Sequence, residues 1–426
     1  VILYLFACGP TAVAVGDDTA SADTDTDTDT DTDADTDADS DTDVEVIDDT
    51  ALDTDVPDEA APDVVVDCTG AGDYTTIADA IAAMPSGTRI GLAPCTYEED
   101  VNFRGKSLDI FGIGGRSVTT LQGGGRGPVV TAVRGESVGT RLAHVTITGG
   151  GGEYGAGIYL ERALLTVEDA VITGAERTGA VIYTSGAGLT LRDVDIEGND
   201  YQRGGYVFYT DNGWLVAQDM YMTCDDAQYG LVEHEATLVL DSEITCADAD
   251  VAVYVSGGEL HMRRSDVVGG TYGIYGEDND DTRNERMWLF NTSVVADDTA
   301  VIATFMHVKA RNDTFWGGRV GIDFDRAHAD SYMYSSAAYG SRCAVSGDGA
   351  TYAAAWNAIG DETACSFPMT DTVTGDFGFV DAPEDLRLAA GSPLIDAGDP
   401  DEDENDDDDT RNDIGRYGGP EADGPR

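Results

Sequence analysis

Three carboxylates raise the first chemical question. In GLVEHEATLVLDSEITC, residues 230–246, Glu233 and Glu235 stand two apart, and Asp211 ends the run VFYTD one repeat earlier. Two carboxyls about 5–9 Å apart are what glycoside hydrolysis requires, one as acid and one as base or nucleophile. Crowding of such acids raises one pKa and helps keep a proton near neutral pH. Asp211, Glu233 and Glu235 are therefore the candidate catalytic residues. The neighbouring copies of the run read GIYLE, VIYTS, VFYTD, AVYVS and GIYGE, so most carry a tyrosine where this copy carries Glu233.

Those tyrosines form the second candidate. Strand neighbours face opposite ways. With Ile158, Ile182, Phe208, Val232, Val253, Ile274, Ile302 and Ile322 pointing inward, the outward column reads Tyr159, Tyr183, Tyr209, Glu233, Tyr254, Tyr275, Ala303 and Asp323. Two residues further on it reads Glu161, Ser185, Asp211, Glu235, Ser256, Glu277, Phe305 and Asp325. Tyrosine rings stack on pyranose faces, and carboxylates accept from sugar hydroxyls. The same rings would also cover a sheet face without any ligand, because aromatic pairs stabilise sheets. In this register His234 points inward. The third candidate is DPDEDENDDDDTRND, residues 399–413, where Asp399, Asp401 and Asp403 alternate as Ca²⁺ ligands do. An EF-hand is excluded, because Glu404 stands where that loop needs glycine. Ca²⁺ is the only cofactor these residues suggest, and none is required.

The elements that hold these residues follow from a repeat. From residue 140 an eight-residue template recurs, usually apolar at positions 1 and 3, usually Asp or Asn at position 5 and apolar at position 8. Its copies begin at Thr140, Leu165, Leu189, Leu215, Thr237, Leu260, Met287 and Val308, 21–27 residues apart. Short β-branched runs at that period, with Gly-rich turns and no 3.6-residue periodicity, predict one β-solenoid coil per copy. Position 5 reads His144, Asp169, Asp193, Asp219, Asp241, Arg264, Asn291 and Asn312, a column expected to make turns and satisfy backbone groups. Cys224 and Cys246 each lie nine residues after their copy begins. Stacking at about 4.8 Å would bring them within disulfide reach. By proximity the remaining pairs are Cys68–Cys95 and Cys343–Cys365, which implies an oxidising, extracytoplasmic compartment. Residues 326–375 fit the template poorly.

Charge narrows the partners. The 426 residues carry a formal net charge of −58, from 82 acids against 24 bases. No Lys or Arg precedes Arg89, and residues 17–63 hold 21 acids; with those set aside the remainder still carries −37. Nucleic acid is excluded as a partner, because a phosphate backbone needs a basic face. Residues 22–43, ADTDTDTDTDTDADTDADSDTD, bury no core and repel one another, so 9–63 reads as a disordered Asp/Thr-rich tether. Ahead of it, VILYLFA leads into Cys8, the odd one of seven cysteines.

Several stretches resemble known families. Leu5-Phe6-Ala7-Cys8-Gly9 resembles a bacterial lipobox, which implies a lipid on Cys8, residues 1–8 as a signal remnant, and display at the outer membrane or cell surface, with simple secretion as the alternative. Residues 64–84, VVVDCTGAGDYTTIADAIAAM, and 90–115, IGLAPCTYEEDVNFRGKSLDIFGIGG, resemble the opening of right-handed parallel β-helix proteins of the pectin-lyase-like superfamily, and LRLAAGSPLIDAGDP with TRNDIGRYGGP resembles the closing segment of bacterial β-helix repeat proteins. The resemblance implies an all-β right-handed parallel β-helix over 64–398, a short helix over Tyr74–Met84 capping the first coil, and an acidic segment 399–426 closing it. It does not supply the catalytic signatures of these enzymes. Asp225-Asp226 resembles the paired Asp of polygalacturonase-like hydrolases, but no Gly-His-Gly follows. Lyases of this fold use Lys or Arg as the base; Lys309 and Arg311 lie in one template copy, yet Lys309 is one of only two lysines. The expected function is a lipid-tethered, monomeric surface protein that binds a polysaccharide or other glycan without catalysis. A carbohydrate-active enzyme using the acid cluster is the alternative, and a structural contact with another protein is a third.

Overall fold

In this computed structural model the described residues are 61–422, apart from 177, 279–284, 329, 348–352, 361–368 and the side chains of 202 and 203. Cys8 and the tether residues 9–60 lie outside them. The chain coils into a parallel β-solenoid, as the repeat predicts, of the right-handed parallel β-helix kind that the resemblance implies. Each coil supplies three β segments. One belongs to an eleven-stranded parallel sheet, for example Ile158–Glu161, Thr178–Ser185, Tyr201–Asp211, Tyr229–Glu233, Val251–Ser256 and Tyr272–Glu277. The other two are limbs of a bent strand, such as Ala236–Leu240 and Glu243–Cys246, which stack coil upon coil in the larger sheet.

The bend between the limbs falls on position 5. His144, Asp169, Asp193, Asp219, Asp241, Arg264, Asn291 and Asn312 all have φ between 43° and 56°. Asp and Asn tolerate that left-handed conformation better than other side-chain-bearing residues, which explains the column. Backbone satisfaction from one coil to the next comes from the following residue. Ser242, Ser265, Asp313, Ser336 and Asn357 each accept from a backbone N–H of the coil before, at 2.8–3.2 Å. Asp313 is fully buried there, and burial pushes its carboxyl well above the usual carboxylate range.

The core is the stack of inward residues. In the eleven-stranded sheet one inner column is Ile158, Ile182, Phe208, Leu231, Val253, Ile274, Val301 and Ile322, all at 0 % exposure. The opening coil is capped by a helix over Ile77–Ala83, three residues shorter at its start than expected. Thr76 Oγ1 accepts from the Asp79 N–H, and the Glu99 carboxylate accepts from Ile77 and Ala78. At its other end Lys106 Nζ donates to the carbonyls of Ile81, Ala82 and Met84, where a cation complements the helix dipole.

Cys68–Cys95 and Cys224–Cys246 are disulfides, with Cα atoms 6.4 and 4.6 Å apart. Gly230 is required beside the second, since a Cβ there would lie 2.9 Å from both sulfurs and 2.4 Å from the Ala252 carbonyl. Cys365 lies outside the described residues. The solenoid continues through the poorly fitting stretch, with strands at Tyr332–Tyr334, Ala337–Gly340, Cys343–Gly347, Ala353–Ala355, Ala358–Ile359 and Val373–Thr374. The C-terminal segment then runs back along the bend column. Gly415 N–H donates to Ser335 O, Arg416 N–H to Thr314 Oγ1, and the Asn291 amide to the carbonyls of Arg416 and Gly418. Arg416 also pairs with Asp266, and Glu421 with Arg263.

Candidate functional site

The register of the eleven-stranded sheet decides what faces outward. Ile182 pairs with both Ile158 and Phe208, as expected, but Phe208 pairs with Leu231 and Tyr209 with Val232. Val232 in turn pairs with Tyr254, and Tyr275 with Ile302. The outer column is therefore Tyr159, Tyr183, Tyr209, Val232, Tyr254, Tyr275, Ile302 and Asp323. This corrects the expected placement of Glu233 and Ala303 by one residue. Both errors arose at aliphatic pairs, Leu231-Val232 and Val301-Ile302, where either residue could have been the inward one and a slip of one exchanges the faces.

Glu233 is consequently inside, at 0 % exposure. The reason is a shortened turn. Glu233 pairs with Val255 and Ala236 with Glu259, so three steps in this coil match four in the next. The carboxylate fills the tightened corner, Oε1 accepting from the Glu235 N–H at 2.5 Å, while Oε2 has no hydrogen-bond partner. Burial, with a smaller push from the Glu235 charge, raises the Glu233 pKa to about 7. Glu235 sits exposed on the turn, and Asp211 is half-buried and accepts from the Asn212 amide at 2.7 Å.

The expected catalytic trio is thus split. Glu233 cannot reach the outer face that carries Asp211. Two residues beyond the Tyr209–Val232 pair, the position facing Asp211 is His234, not Glu235. His234 is outward, against the inward placement expected, with its ring edge-on to Tyr209 at 5.4 Å and Nδ1 3.1 Å from the Ser256 carbonyl.

The tyrosines are brought together. Tyr159, Tyr183 and Tyr209 stack face to face, with centroids 5.3 and 5.6 Å apart and planes within 11°. Tyr254 and Tyr275 stack likewise at 5.7 Å. A second row spans the interruption at Val232. Tyr206 lies edge-on to Tyr209 at 5.2 Å and stacks on Tyr229 at 5.5 Å, and Tyr229 reaches Tyr254 at 5.9 Å. Tyr154 and Tyr272 extend that row at the two ends. Sequence reasoning missed the second row, whose signal is a tyrosine three residues ahead of another, as in Tyr206/Tyr209 and Tyr272/Tyr275. Nine rings cover about 24 Å along the axis, taking five coil steps at the inter-strand spacing.

The face is negative. Tyr159, Tyr209 and Tyr275 have pKa values raised by burial and then by Glu161, Asp211 and Glu277 respectively. Glu277 also accepts from the hydroxyls of Tyr254 and Tyr275. At the Tyr159 end the face opens into a cavity of about 530 Å³ lined by Arg126, Glu153, Tyr154, Tyr159 and Glu161 among others.

Solved structures similar to this chain include a pectin methylesterase from carrot (14 % identity, covering 78 % of this chain and 87 % of that one, TM-score 0.29). A pectate lyase (14 %, 81 % and 91 %, TM-score 0.36) and a lacto-N-biosidase from Eubacterium ramulus (10 %, 73 % and 67 %, TM-score 0.36) are also similar. The likeness is one of fold. No protein-family model and no curated protein sequence matches the chain.

The acidic loop is built for turns. Asp399 Oδ1 accepts from the Asp401 N–H and Asp401 Oδ1 from the Asp403 N–H, both at 3.1 Å. Glu404 pairs with Arg311. Among the described residues no group of three or more His, Cys, Asp or Glu side chains is placed to hold a metal ion. Lys309 lies over the rings of Trp288 and Tyr332, at 4.8 and 5.7 Å, on the other sheet.

Proposed function

We propose that the tyrosine face holds a glycan chain and that the protein binds it without cleaving it. The observation that carries this reading is the uninterrupted contact of nine half-exposed or exposed tyrosines along one side of a rigid sheet. Large aromatic patches at a surface mark binding sites, and rings of this kind supply contact area at low entropic cost. The flanking Glu161, Asp211 and Glu277 offer acceptors to sugar hydroxyls, and the net charge of −58 disfavours a polyanionic chain. With a lipid on Cys8 and an extended Asp/Thr tether, such a solenoid would be displayed at the cell surface as a monomer.

Binding of residues 61–426 to a panel of soluble neutral and amino polysaccharides tests the reading. Tyr183→Ala, in the middle of the longest stack, should weaken binding at least about tenfold, the loss typical of a central aromatic contact. Binding unchanged in that variant would remove the tyrosine face from the site. New reducing ends that vanish with Asp211→Asn would instead make the protein an enzyme.

A further inference from the structure

The break in the tyrosine run has a chemistry of its own, set by the shortened coil. That shortening puts the His234 ring edge-on to Tyr209, two residues before Asp211, and leaves Glu235 exposed on the turn. The Ser256 carbonyl can only accept, so His234 Nδ1 carries a hydrogen and donates to it. The carboxylates of Asp211 and Glu235 offer acceptors.

The rest of the face agrees. The column beside the tyrosines reads Glu161, Ser185, Asp211, His234, Ser256, Glu277, Thr304 and Asp325. The cations near it stand at its two ends, where Arg162 pairs with Glu161 and Arg326 with Asp325. On the strands between them the one basic residue is Arg203, near the start of Tyr201–Asp211. Tyrosine faces attract cations through the ring quadrupole, most strongly where water is partly excluded. A sugar hydroxyl would use one donor here. A sugar ammonium brings three donors and the charge that complements the face.

Resting on the glycan-binding reading, we propose that the chain bound by this face carries free amino groups, and that Asp211, with Glu235 exposed on the turn, receives the ammonium of one amino sugar while Tyr209 stacks beside it. The ligand class is a cationic aminoglycan, not a neutral glucan.

The experiment is a titration of the protein with a soluble β-linked glucosamine oligomer in its ammonium form, its fully N-acetylated counterpart and a glucan oligomer of equal length. The expected result is that the glucosamine form binds at least about tenfold tighter than the other two, a preference of about 1.4 kcal/mol. Asp211→Asn should erase most of that preference, and Asp381→Asn, an exposed acid on the C-terminal hairpin, should not. Tyr209→Ala should weaken all binding, which separates the site from general attraction of a polycation to an acidic protein. Equal binding of the three oligomers would overturn the amino-sugar assignment and leave the glycan reading standing. Glucosamine binding lowered equally by Asp211→Asn and Asp381→Asn, and indifferent to Tyr209→Ala, would overturn it as bulk charge attraction. Binding of none of the three would overturn both readings.

Discussion

Glu233→Gln should stabilise the protein at alkaline pH and leave it almost unchanged in mild acid. The native carboxyl titrates near 7 because it is buried, against an ordinary value of 4.5. Between those two values the folded state holds a proton that the unfolded state has released, so stability falls as pH rises through this window. It is complete below about 4.5 and lost above about 7. A shift of this size corresponds to roughly 3 kcal/mol at 1.36 kcal/mol per pKa unit. Glutamine keeps the oxygen that accepts from the Glu235 N–H and has no proton to lose. The measurement is the urea midpoint of wild type and variant at a series of pH values from about 4.5 to 8.5, read as the difference between them. The other carboxylates of this acidic chain titrate in both proteins and cancel. The difference should grow from near zero to about 3 kcal/mol across the window. A difference independent of pH, or a variant less stable at pH 8, would refute the placement of Glu233 in the interior. Glu233→Ala is the control: it leaves the turn N–H unaccepted and should destabilise at every pH.

Two further outcomes follow from the same coils. Replacing Cys224 and Cys246 together by alanine releases a cross-link between positions 22 apart and should cost about 3 kcal/mol by urea unfolding, without changing glycan binding at saturation. Gly230→Ala forces a methyl against both sulfurs and the Ala252 carbonyl and should lower stability by about 1–3 kcal/mol, visible as a lower melting temperature.

The solenoid was legible because its signal repeats. Eight copies of one template set the coil length, and the register of the limbs around Asp169, Asp193, Asp219 and Asp241 came out as read, down to the Cys224–Cys246 pair. The eleven-stranded sheet was harder, since its strands are short and two copies present adjacent aliphatics whose parity sequence alone does not settle. The deleted turn residue after Glu233 compounded this, because an insertion or deletion in a loop leaves no trace in a hydrophobic pattern. The second tyrosine row escaped for a related reason: Tyr206 and Tyr229 lie before the inward column, in a part of the strand where alternation breaks at Val207-Phe208, both buried. Residues 326–375 hid their coils because alanine and glycine fill the strand positions that β-branched residues occupy earlier. Position 5 was correctly placed at a turn; the bonds to the backbone of the preceding coil belong to its neighbour, whose Ser, Asp and Asn identities point inward, while Asn291 of the column itself donates to the carbonyls of Arg416 and Gly418.

The returning C-terminal segment changes how such a molecule can come apart. A solenoid whose coils touch only their neighbours can fray from an end, one repeat at a time. Here Gly415, Arg416, Gly418 and Glu421 fasten to the coils of Ser335, Thr314, Asn291 and Arg263 in turn. None of those four coils can open alone while the segment is in place. A nearest-neighbour stack is thereby given a block of four coils whose opening is coupled through one strap.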